Sequence, residues 1–164
     1  YRAIMQEVLP RRARLRAMNL LQGREYTTSQ LQTKLQQGFY PPEIIEQAID
    51  YVAGFHYIDD LRYAVDYITY HENSRSRRRI EQDLLGKGIS TATIEEAWQN
   101  WRENGGEQDE QNMIRELLRK KHYDPDAGET DWKERQKIYA FLARKGFSTE
   151  AIRKAIGGLH GDDF

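Results

Sequence analysis

The sequence contains no cysteine, which excludes both a disulfide framework and a thiolate metal site. We expect a cytoplasmic protein, because a chain without disulfides suits a reducing compartment. Apolar runs are short, and none approaches the roughly 18 residues of a membrane span, so we expect no membrane segment. No signal peptide is visible, and because the first residue is Tyr1 we expect residues to precede it in the complete protein.

Residues that would carry catalysis or bind a metal are also scarce. The four histidines are scattered, with no pair four residues apart and no acidic partner at ligand spacing. They are His56, His71, His122 and His160. The stretch Gly86-Lys87-Gly88 is too short for a phosphate-binding loop and follows a predicted helix instead of a strand. We therefore expect no enzymatic activity, no metal and no cofactor.

The composition favours small helical units over one large core. Hydrophobic residues make up 38% of the 164 residues, which is low for a globular domain, and charged residues make up 31%. The 10 tyrosines and 3 tryptophans indicate that thin cores are filled by aromatic side chains. Strand-type alternation is absent, and helix-forming residues dominate the candidate elements.

One helical pattern occurs three times. An apolar residue is followed four positions later by Leu and then by Gly, and an Ile six positions past the Gly belongs to a new helix. The three Gly residues are Gly38, Gly88 and Gly146, which are 50 and 58 residues apart, and the first comes one position early. A period of this length is typical of a tandem array. We therefore predict an all-α fold, an elongated tandem array of three three-helix repeats with nine helices.

The predicted repeats span residues 1–56, 57–106 and 107–159, followed by a frayed tail at 160–164. A unit of about 50 residues is marginal by itself, so neighbouring repeats should pack against one another. We expect the aromatic connector at residues 55–58 to pack at the first junction.

The predicted helix ends follow ordinary capping chemistry. The first helix is expected over residues 8–22, and Thr27-x-x-Gln30 predicts a capping box at the start of the second. The recurring Gly residues and Gly54 are expected to close helices, because Gly adopts the left-handed conformation at little cost. Asp59 or Asp60 is expected to cap the fourth helix, and a metal site at this pair is the weaker alternative.

Charge is distributed in bands along a chain whose net charge is only −1. Basic residues exceed acidic ones in segments 1–37, 75–93 and 119–164, and acidic residues exceed basic ones in segments 38–74 and 94–118. Such banding indicates a surface matched to a partner of mixed charge. The alternative is a set of solvated helix faces, and composition alone does not decide between the two interpretations.

The densest basic cluster places four arginines within five residues at the start of a predicted helix. They are Arg75, Arg77, Arg78 and Arg79. The helix dipole disfavours cations there, so a phosphate backbone or an acidic protein surface would offset their charge. Pairing with Glu72, Glu81 or Asp83 is the structural alternative. We favour a binding role, with Lys87 as a further contact.

Two other basic clusters are candidates for the same role. The first predicted helix carries Arg11, Arg12, Arg14 and Arg16. The other cluster, at a predicted helix C-terminus, consists of Arg119, Lys120 and Lys121. The dipole already favours cations at that end, so the structural and the binding interpretation of the last cluster stay equally open.

Each second helix, Gly turn and third helix also has the form of a helix-turn-helix. A nucleic-acid-binding module of that type is therefore the alternative function. A recognition helix must approach phosphates, and the first two third helices are acidic. Their carboxylates belong to Glu43, Glu46, Asp50, Glu95 and Glu96. Only the third copy, with Arg153 and Lys154, lacks that objection, so we rank sequence-specific duplex recognition low.

Three segments carry a resemblance to a known family. RecX proteins, which regulate the RecA recombinase, have a Gly-Tyr-Leu-Asp-Asp-x-Arg-Phe-Ala signature, and this chain is similar to it at Gly54-Phe55-His56-Tyr57-Ile58-Asp59-Asp60-Leu61-Arg62-Tyr63-Ala64. The other two segments resemble the second and third repeats of that family. They are Arg78-Arg79-Ile80-x3-Leu84-x2-Lys87-Gly88-Ile89-Ser90 and Lys137-Ile138-x2-Phe141-Leu142-x-Arg144-Lys145-Gly146-Phe147. The connector departs from the signature in its bulkier His56-Tyr57.

The resemblance implies a protein that binds RecA and its filament on single-stranded DNA. It implies that such a protein lies in the helical groove of the filament, bridges protomers, and inhibits ATP hydrolysis and strand exchange during recombination and DNA repair. The family has no catalytic residues to carry over. We expect a monomer that contacts DNA weakly, and the basic clusters are the expected electrostatic contacts.

Overall fold

The computed structural model describes residues 1–125 and 131–156, except for the side chain of Met5. All regular elements in these ranges are helical, which confirms the all-α prediction. The described residues form nine α-helices, which are α1 (Leu9–Gly23), α2 (Thr28–Gln37), α3 (Pro42–Gly54), α4 (Asp60–His71), α5 (Arg77–Gly86), α6 (Thr91–Glu103), α7 (Glu110–Lys120), α8 (Trp132–Arg144) and α9 (Thr149–Ala155).

The helices are grouped in threes, as the repeated pattern predicts. In each group the first helix packs most closely on the third, so that α1 contacts α3, α4 contacts α6 and α7 contacts α9. Within the described ranges, every extensive contact between helices lies inside one repeat. The chain is therefore a tandem array of three-helix repeats with limited contact between neighbours.

Each repeat has its own small core. The apolar residue and the Leu of the repeated pattern are buried in every copy. These pairs are Leu31 with Leu35, Ile80 with Leu84, and Ile138 with Leu142. A buried Leu or Ile stabilises a fold by about 1.5–3 kcal/mol, and each core contains only five or six of them. Because the conformational entropy of ordering the whole repeat opposes this gain, each repeat is marginal alone. Contacts between repeats must supply part of the stability.

Side-chain oxygens begin most of the helices. The predicted capping box is present, because the Thr27 hydroxyl accepts from the Gln30 backbone N–H and the Gln30 side chain accepts from the Thr27 backbone N–H. Asp59 caps α4 by accepting from the Arg62 backbone N–H at 3.1 Å, which confirms the capping interpretation of that residue. Hydroxyl caps also start α5, α6 and α9, at Ser76, Ser90 and Ser148.

The left-handed residues that close helices differ in part from those predicted. Gly88 and Gly146 have φ values of 84° and 96°, as expected. Gly38 ends α2 as predicted, but its expected left-handed conformation is wrong, because its φ is −83° and Phe39 takes the left-handed conformation at φ 62°. Phe39 lies four residues after Leu35, which is the spacing that places Gly88 and Gly146 in the other repeats. The one-residue offset in the sequence therefore leaves a non-glycine residue at the strained position.

After α3, too, a residue other than Gly takes the left-handed conformation. The helix ends at Gly54, but the left-handed residue is His56, at φ 59°. The Tyr57 backbone N–H donates to the Val52 carbonyl at 3.0 Å, which is the six-to-one bond of a Schellman motif. Ile58 is buried in the core of repeat 1, whereas Phe55 and Tyr57 are 54% and 48% exposed, so the aromatic side chains of the connector do not pack at the junction as predicted.

The first helix starts earlier than the predicted residue 8. A π-helical turn at Ile4–Val8 leads directly into α1, and the Leu9 backbone N–H donates to the Ile4 carbonyl. Pro10 has no N–H to offer the preceding turn, so a wider turn satisfies a carbonyl that an α-helical turn would leave unpaired. Residues 126–130 and 157–164, which include the predicted tail, lie outside the described residues.

Candidate functional site

Repeats 1 and 2 meet where the start of α2 receives the turn between α5 and α6. The Thr27 hydroxyl is fully buried and donates to the Lys87 carbonyl oxygen at 2.7 Å. Gly88 follows in the same turn, and a Cβ on it would overlap the Cβ and Oγ of Ser29. Gly88 is thus required both for its backbone conformation and for the close approach of the neighbouring repeat.

Repeats 2 and 3 meet through equivalent parts. The Ser76 hydroxyl and backbone N–H at the start of α5 both point to the Lys145 carbonyl, at 3.4 and 3.5 Å. A Cβ on Gly146 would overlap Ser76 Oγ and lie 2.6 Å from Arg79 Cβ. Among the described residues, Thr27 and Ser76 are the two buried polar side chains. The recurring Gly and the N-cap hydroxyl therefore specify how one repeat docks on the next.

The paired carboxylates of the connector join repeat 1 to repeat 2. Asp59 caps its own helix, and Asp60 Oδ1 accepts from the Thr28 backbone N–H at 2.8 Å, which caps the helix of the preceding repeat. Arg62 donates to the His56 carbonyl at 2.9 Å and lies 3.9 Å from Glu25. The Asp-Asp-x-Arg part of the signature therefore has a structural role at the junction.

Each junction also forms a groove lined by cations. The first groove contains Arg24, Lys34 and Lys87 beside Gln30 and Thr33. The second groove contains Arg75, Arg79, Arg144 and Lys145 beside Phe141. Lys87 and Lys145 hold equivalent positions, directly before the docking Gly. We refer to these two sites as the junction grooves, and their charge suits an anionic partner.

Asp83 neutralises part of the arginine cluster at residues 75–79. Its carboxylate lies 2.6 Å from Arg75 and 3.1 Å from Arg79. The Tyr67 hydroxyl donates to the same carboxylate at 2.9 Å, and burial together with this bond raises the pKa of Tyr67 to about 12. Burial and the nearby Arg75 charge lower the pKa of His71, which packs on the Tyr67 ring. This polar cluster offsets charge that the helix dipole disfavours.

A third arginine of that cluster is also paired. Arg77 lies 2.9 Å from Glu81 and 3.7 Å from Glu95, with its guanidinium carbon 4.9 Å from the ring centroid of Trp98. Arg78 is exposed and has no ion pair within the described parts of the chain. The pairing alternative thus holds for three of the four arginines, and a contact between this cluster and a partner stays a prediction.

The cluster in α1 has the opposite character. Arg11, Arg12 and Arg16 are exposed, and Arg14 lies with its guanidinium carbon 5.0 Å from the ring centroid of Tyr51. The helix contains no acidic residue, and its arginines form no ion pair with the acidic residues that the structure describes. The less dense of these two arginine clusters therefore presents more unneutralised charge.

The third basic cluster lies at the end of α7. Arg119 contacts Glu116 at 3.1 Å, and Lys120 is exposed. Lys121 Nζ lies 4.5 Å from the ring centroid of Phe141, which lines the second junction groove. One member of this cluster thus extends the basic surface of the second groove.

The junction grooves contain four cations that the sequence analysis does not single out. They are Arg24, Lys34, Arg144 and Lys145. A signal for one of them is present in the sequence, because Lys directly precedes the docking Gly in both the second and the third copy. The others become visible only when the turn of one repeat is placed against the helix of the previous one.

The acidic third helices keep their charge on the surface. Glu46 and Asp50 line a groove between α2 and α3, and Glu95 is 61% exposed although it pairs with Arg77. A DNA duplex that received these helices in its major groove would meet carboxylates. The geometry therefore disfavours the helix-turn-helix alternative in the first two repeats.

The described residues form neither a metal site nor a membrane-spanning helix. Within residues 1–125 and 131–156, no group of three or more His, Asp or Glu side chains is arranged to hold a metal ion. None of the helices in these ranges combines the length and the apolar character that crossing a bilayer requires. Among the candidate histidines, His56 and His122 serve as left-handed residues after helices, and His160 lies outside the described part.

The fold and its junctions define a class of protein, a tandem array of three-helix repeats that offers binding surfaces. Models of protein families match this chain with the same number of three-helix repeats, in the same order. The models of the first, second and third three-helix domains of RecX match residues 13–51, 59–97 and 107–156.

Whole-chain relatives carry the name Regulatory protein RecX. The relative from Trichlorobacter lovleyi is 30% identical over 85% of this chain and 90% of its own length. The relative from Pseudomonas savastanoi pv. phaseolicola is 32% identical over 94% of this chain and 96% of its own. The chain therefore belongs to the RecX family of regulatory proteins, as its connector and repeats indicate.

Solved structures agree with the fold. A crystal structure of regulatory protein RecX superposes with a TM-score of 0.73 at 24% identity, covering 94% of this chain and 76% of that one. RecX from Lactobacillus salivarius gives a TM-score of 0.67 at 21% identity, covering 91% of this chain and 95% of that one. The three-helix repeat architecture is common to all three.

Proposed function

We propose that this protein regulates a RecA recombinase by binding RecA and its filament on single-stranded DNA. The observation that carries the proposal is the ordered match of three RecX domains across the chain. The protein lies in the helical groove of the filament, where it inhibits ATP hydrolysis and strand exchange and so modulates recombination and DNA repair. It acts by binding alone.

The two junction grooves support a partner that is itself repetitive. They lie at equivalent places, one repeat apart, and each contains a Lys before the docking Gly. A filament offers acidic groups or phosphates at regular intervals, so each groove meets the same kind of surface. Lys34 and Lys87 form the core of the first contact, and Arg144 and Lys145 form that of the second.

Binding of this kind inhibits ATP hydrolysis by fixing the relative orientation of neighbouring protomers in the filament. A chain that contacts two protomers at once holds their relative orientation, and it stabilises whichever filament state fits its own spacing best. If that state hydrolyses ATP slowly, binding shifts the filament population towards it. The short, specific repeat junctions suit this role because they fix the distance between the two grooves.

The test is RecA-dependent ATP hydrolysis on single-stranded DNA. We expect the wild-type chain to lower the rate, and the combined substitutions K34E, K87E and K145E to raise the half-inhibitory concentration about tenfold or more. Exposed charge contacts contribute up to about 1 kcal/mol each, and three of them are reversed. R102E, at an exposed site on α6 away from both grooves, is the matched control and should inhibit like wild type.

A pull-down decides whether the proposal survives. If nucleotide-bound RecA filaments retain no wild-type chain at moderate salt, the proposed function is wrong. The helix-turn-helix alternative predicts a different pattern, namely tight and sequence-selective binding to naked duplex DNA. Affinities for naked and RecA-coated DNA, measured at the same salt concentration, therefore separate the two functions.

A further inference from the structure

Three aromatic side chains remain exposed at the end of α3. Tyr51, Phe55 and Tyr57 are 40%, 54% and 48% exposed. The Tyr51 and Phe55 rings meet edge to face with centroids 5.1 Å apart, and the Phe55 and Tyr57 rings are stacked with centroids 5.6 Å apart. We call these three residues the aromatic ladder. Contact with water costs such a surface free energy that burial in the core would recover.

The backbone fixes the ladder in place. His56, which lies between Phe55 and Tyr57, has the left-handed backbone conformation that is unfavourable for residues with a Cβ atom. The bond from the Tyr57 N–H to the Val52 carbonyl then turns Tyr57 back over Phe55. The stack is therefore preformed, because a Schellman motif sets the path of the chain between its rings.

Unneutralised positive charge borders the ladder. Arg14 of α1 lies with its guanidinium carbon 5.0 Å from the Tyr51 ring centroid, so the ladder adjoins the helix that carries the free arginines. Two acidic residues of α3, Glu46 and Asp50, lie elsewhere and line the groove towards α2. Arg14 and Arg11, which is three positions before it on the same face of α1, thus lie on the side of the aromatic rings.

We propose that the aromatic ladder and the adjacent arginines Arg11 and Arg14 form a binding surface for single-stranded nucleic acid. Bases stack on the exposed rings, and phosphates contact the guanidinium groups, a combination typical of proteins that bind single strands with little sequence preference. An acidic protein segment would pair with the arginines but would not require stacked rings, so nucleic acid fits both halves of the surface. The surface operates on naked strands and does not depend on RecA.

The test is fluorescence anisotropy with labelled oligothymidylate and the full chain, without RecA. We expect F55A to weaken binding about tenfold, because stacking on one aromatic side chain accounts for roughly that factor or more. Y70A is the matched control, since Tyr70 is 83% exposed on α4 outside the ladder, and it should bind like wild type. Circular dichroism establishes that both variants are folded.

An abasic oligomer of the same length separates stacking from charge. Wild type should bind it more weakly than oligothymidylate, and F55A should weaken that remaining binding no further. The combined substitutions R11Q and R14Q should weaken binding to both oligomers and flatten the dependence on salt. The proposal is overturned if wild type binds neither oligomer, if F55A binds like Y70A, or if the bases make no difference, which would indicate a general polyanion surface.

Discussion

The two junctions of the array use the same docking parts but differ in how tightly they close. At the first, the Thr27 hydroxyl reaches the Lys87 carbonyl at 2.7 Å, and Asp60 adds a bond across the repeats. At the second, Ser76 is 3.4 Å from the Lys145 carbonyl, and the Gln108 amide bridges the repeats by donating to the carbonyls of Glu72 and Arg75. Both junctions therefore share the docking Gly and the N-cap hydroxyl, whereas the additional hydrogen bonds from the connecting segments differ between them.

The largest expected effect comes from filling the space at either docking Gly. G88A should lower the free energy of unfolding by about 3 kcal/mol, because it combines overpacking of about 1–3 kcal/mol with left-handed strain of about 1 kcal/mol. G146A should cost a similar amount, since its Cβ meets Arg79 backbone as well as Ser76. Urea denaturation followed by circular dichroism measures both.

G105A is the control for these substitutions. Gly105 has φ 87°, close to the value of Gly88, but a Cβ there meets no atom within 4 Å. It should therefore cost only the strain of about 1 kcal/mol. Equal losses for G88A and G105A would show that docking contributes nothing at the first junction.

A smaller effect distinguishes the two hydroxyls. T27V should lower stability by about 2 kcal/mol, because it removes an N-cap worth about 1 kcal/mol and leaves the Lys87 carbonyl without its buried donor. S76A should cost about 1 kcal/mol, since a distance of 3.4 Å makes its second bond weak. Thermal unfolding of both variants gives the comparison, and a larger loss for S76A would reverse the order of tightness assigned to the junctions.

The smallest expected effect is a gain in stability. H56G should raise the free energy of unfolding by about 0.5–1 kcal/mol, because Gly adopts the left-handed conformation without the cost that a Cβ imposes. H56A has the same steric cost as wild type and should leave stability nearly unchanged, and a loss of stability in H56G would show that the His side chain contributes contacts of its own.

The sequence predicts what is local. The spacing of Leu84 and Gly88 identifies a helix and its terminating turn, and the Thr27-Gln30 pattern identifies a cap, because both depend on residues within a few positions. It misplaces the left-handed residue in repeat 1, since Gly38 is a strong signal and Phe39 is a weak one. The register of the repeats places Phe39 there in spite of its side chain.

The site is less predictable because its electrostatics are not local. Arg77 pairs with Glu95 across two helices, and Asp60 bonds to a helix start 32 residues away. The local density of arginines in the sequence therefore overestimates the net charge at residues 75–79 and underestimates that of α1, whose arginines form no ion pair in the described residues. The sequence does not predict the exposure of the aromatic ladder either, because apolar residues in a connector are ordinarily expected to be buried.

The exposed Phe39 turn has a consequence for how copies of the protein meet. Repeat proteins carry a risk, because a surface that docks on its own neighbour can also dock on another molecule and extend into fibres. The turn of repeat 1 has the shape of the docking turns, but a side chain occupies the place where Gly88 and Gly146 have none. We expect that side chain to keep the turn from docking on a second copy, because even a Cβ at Gly88 or Gly146 would overlap the neighbouring repeat. One strained residue that is 92% accessible is thus expected to disfavour self-assembly of the array through its own kind of junction.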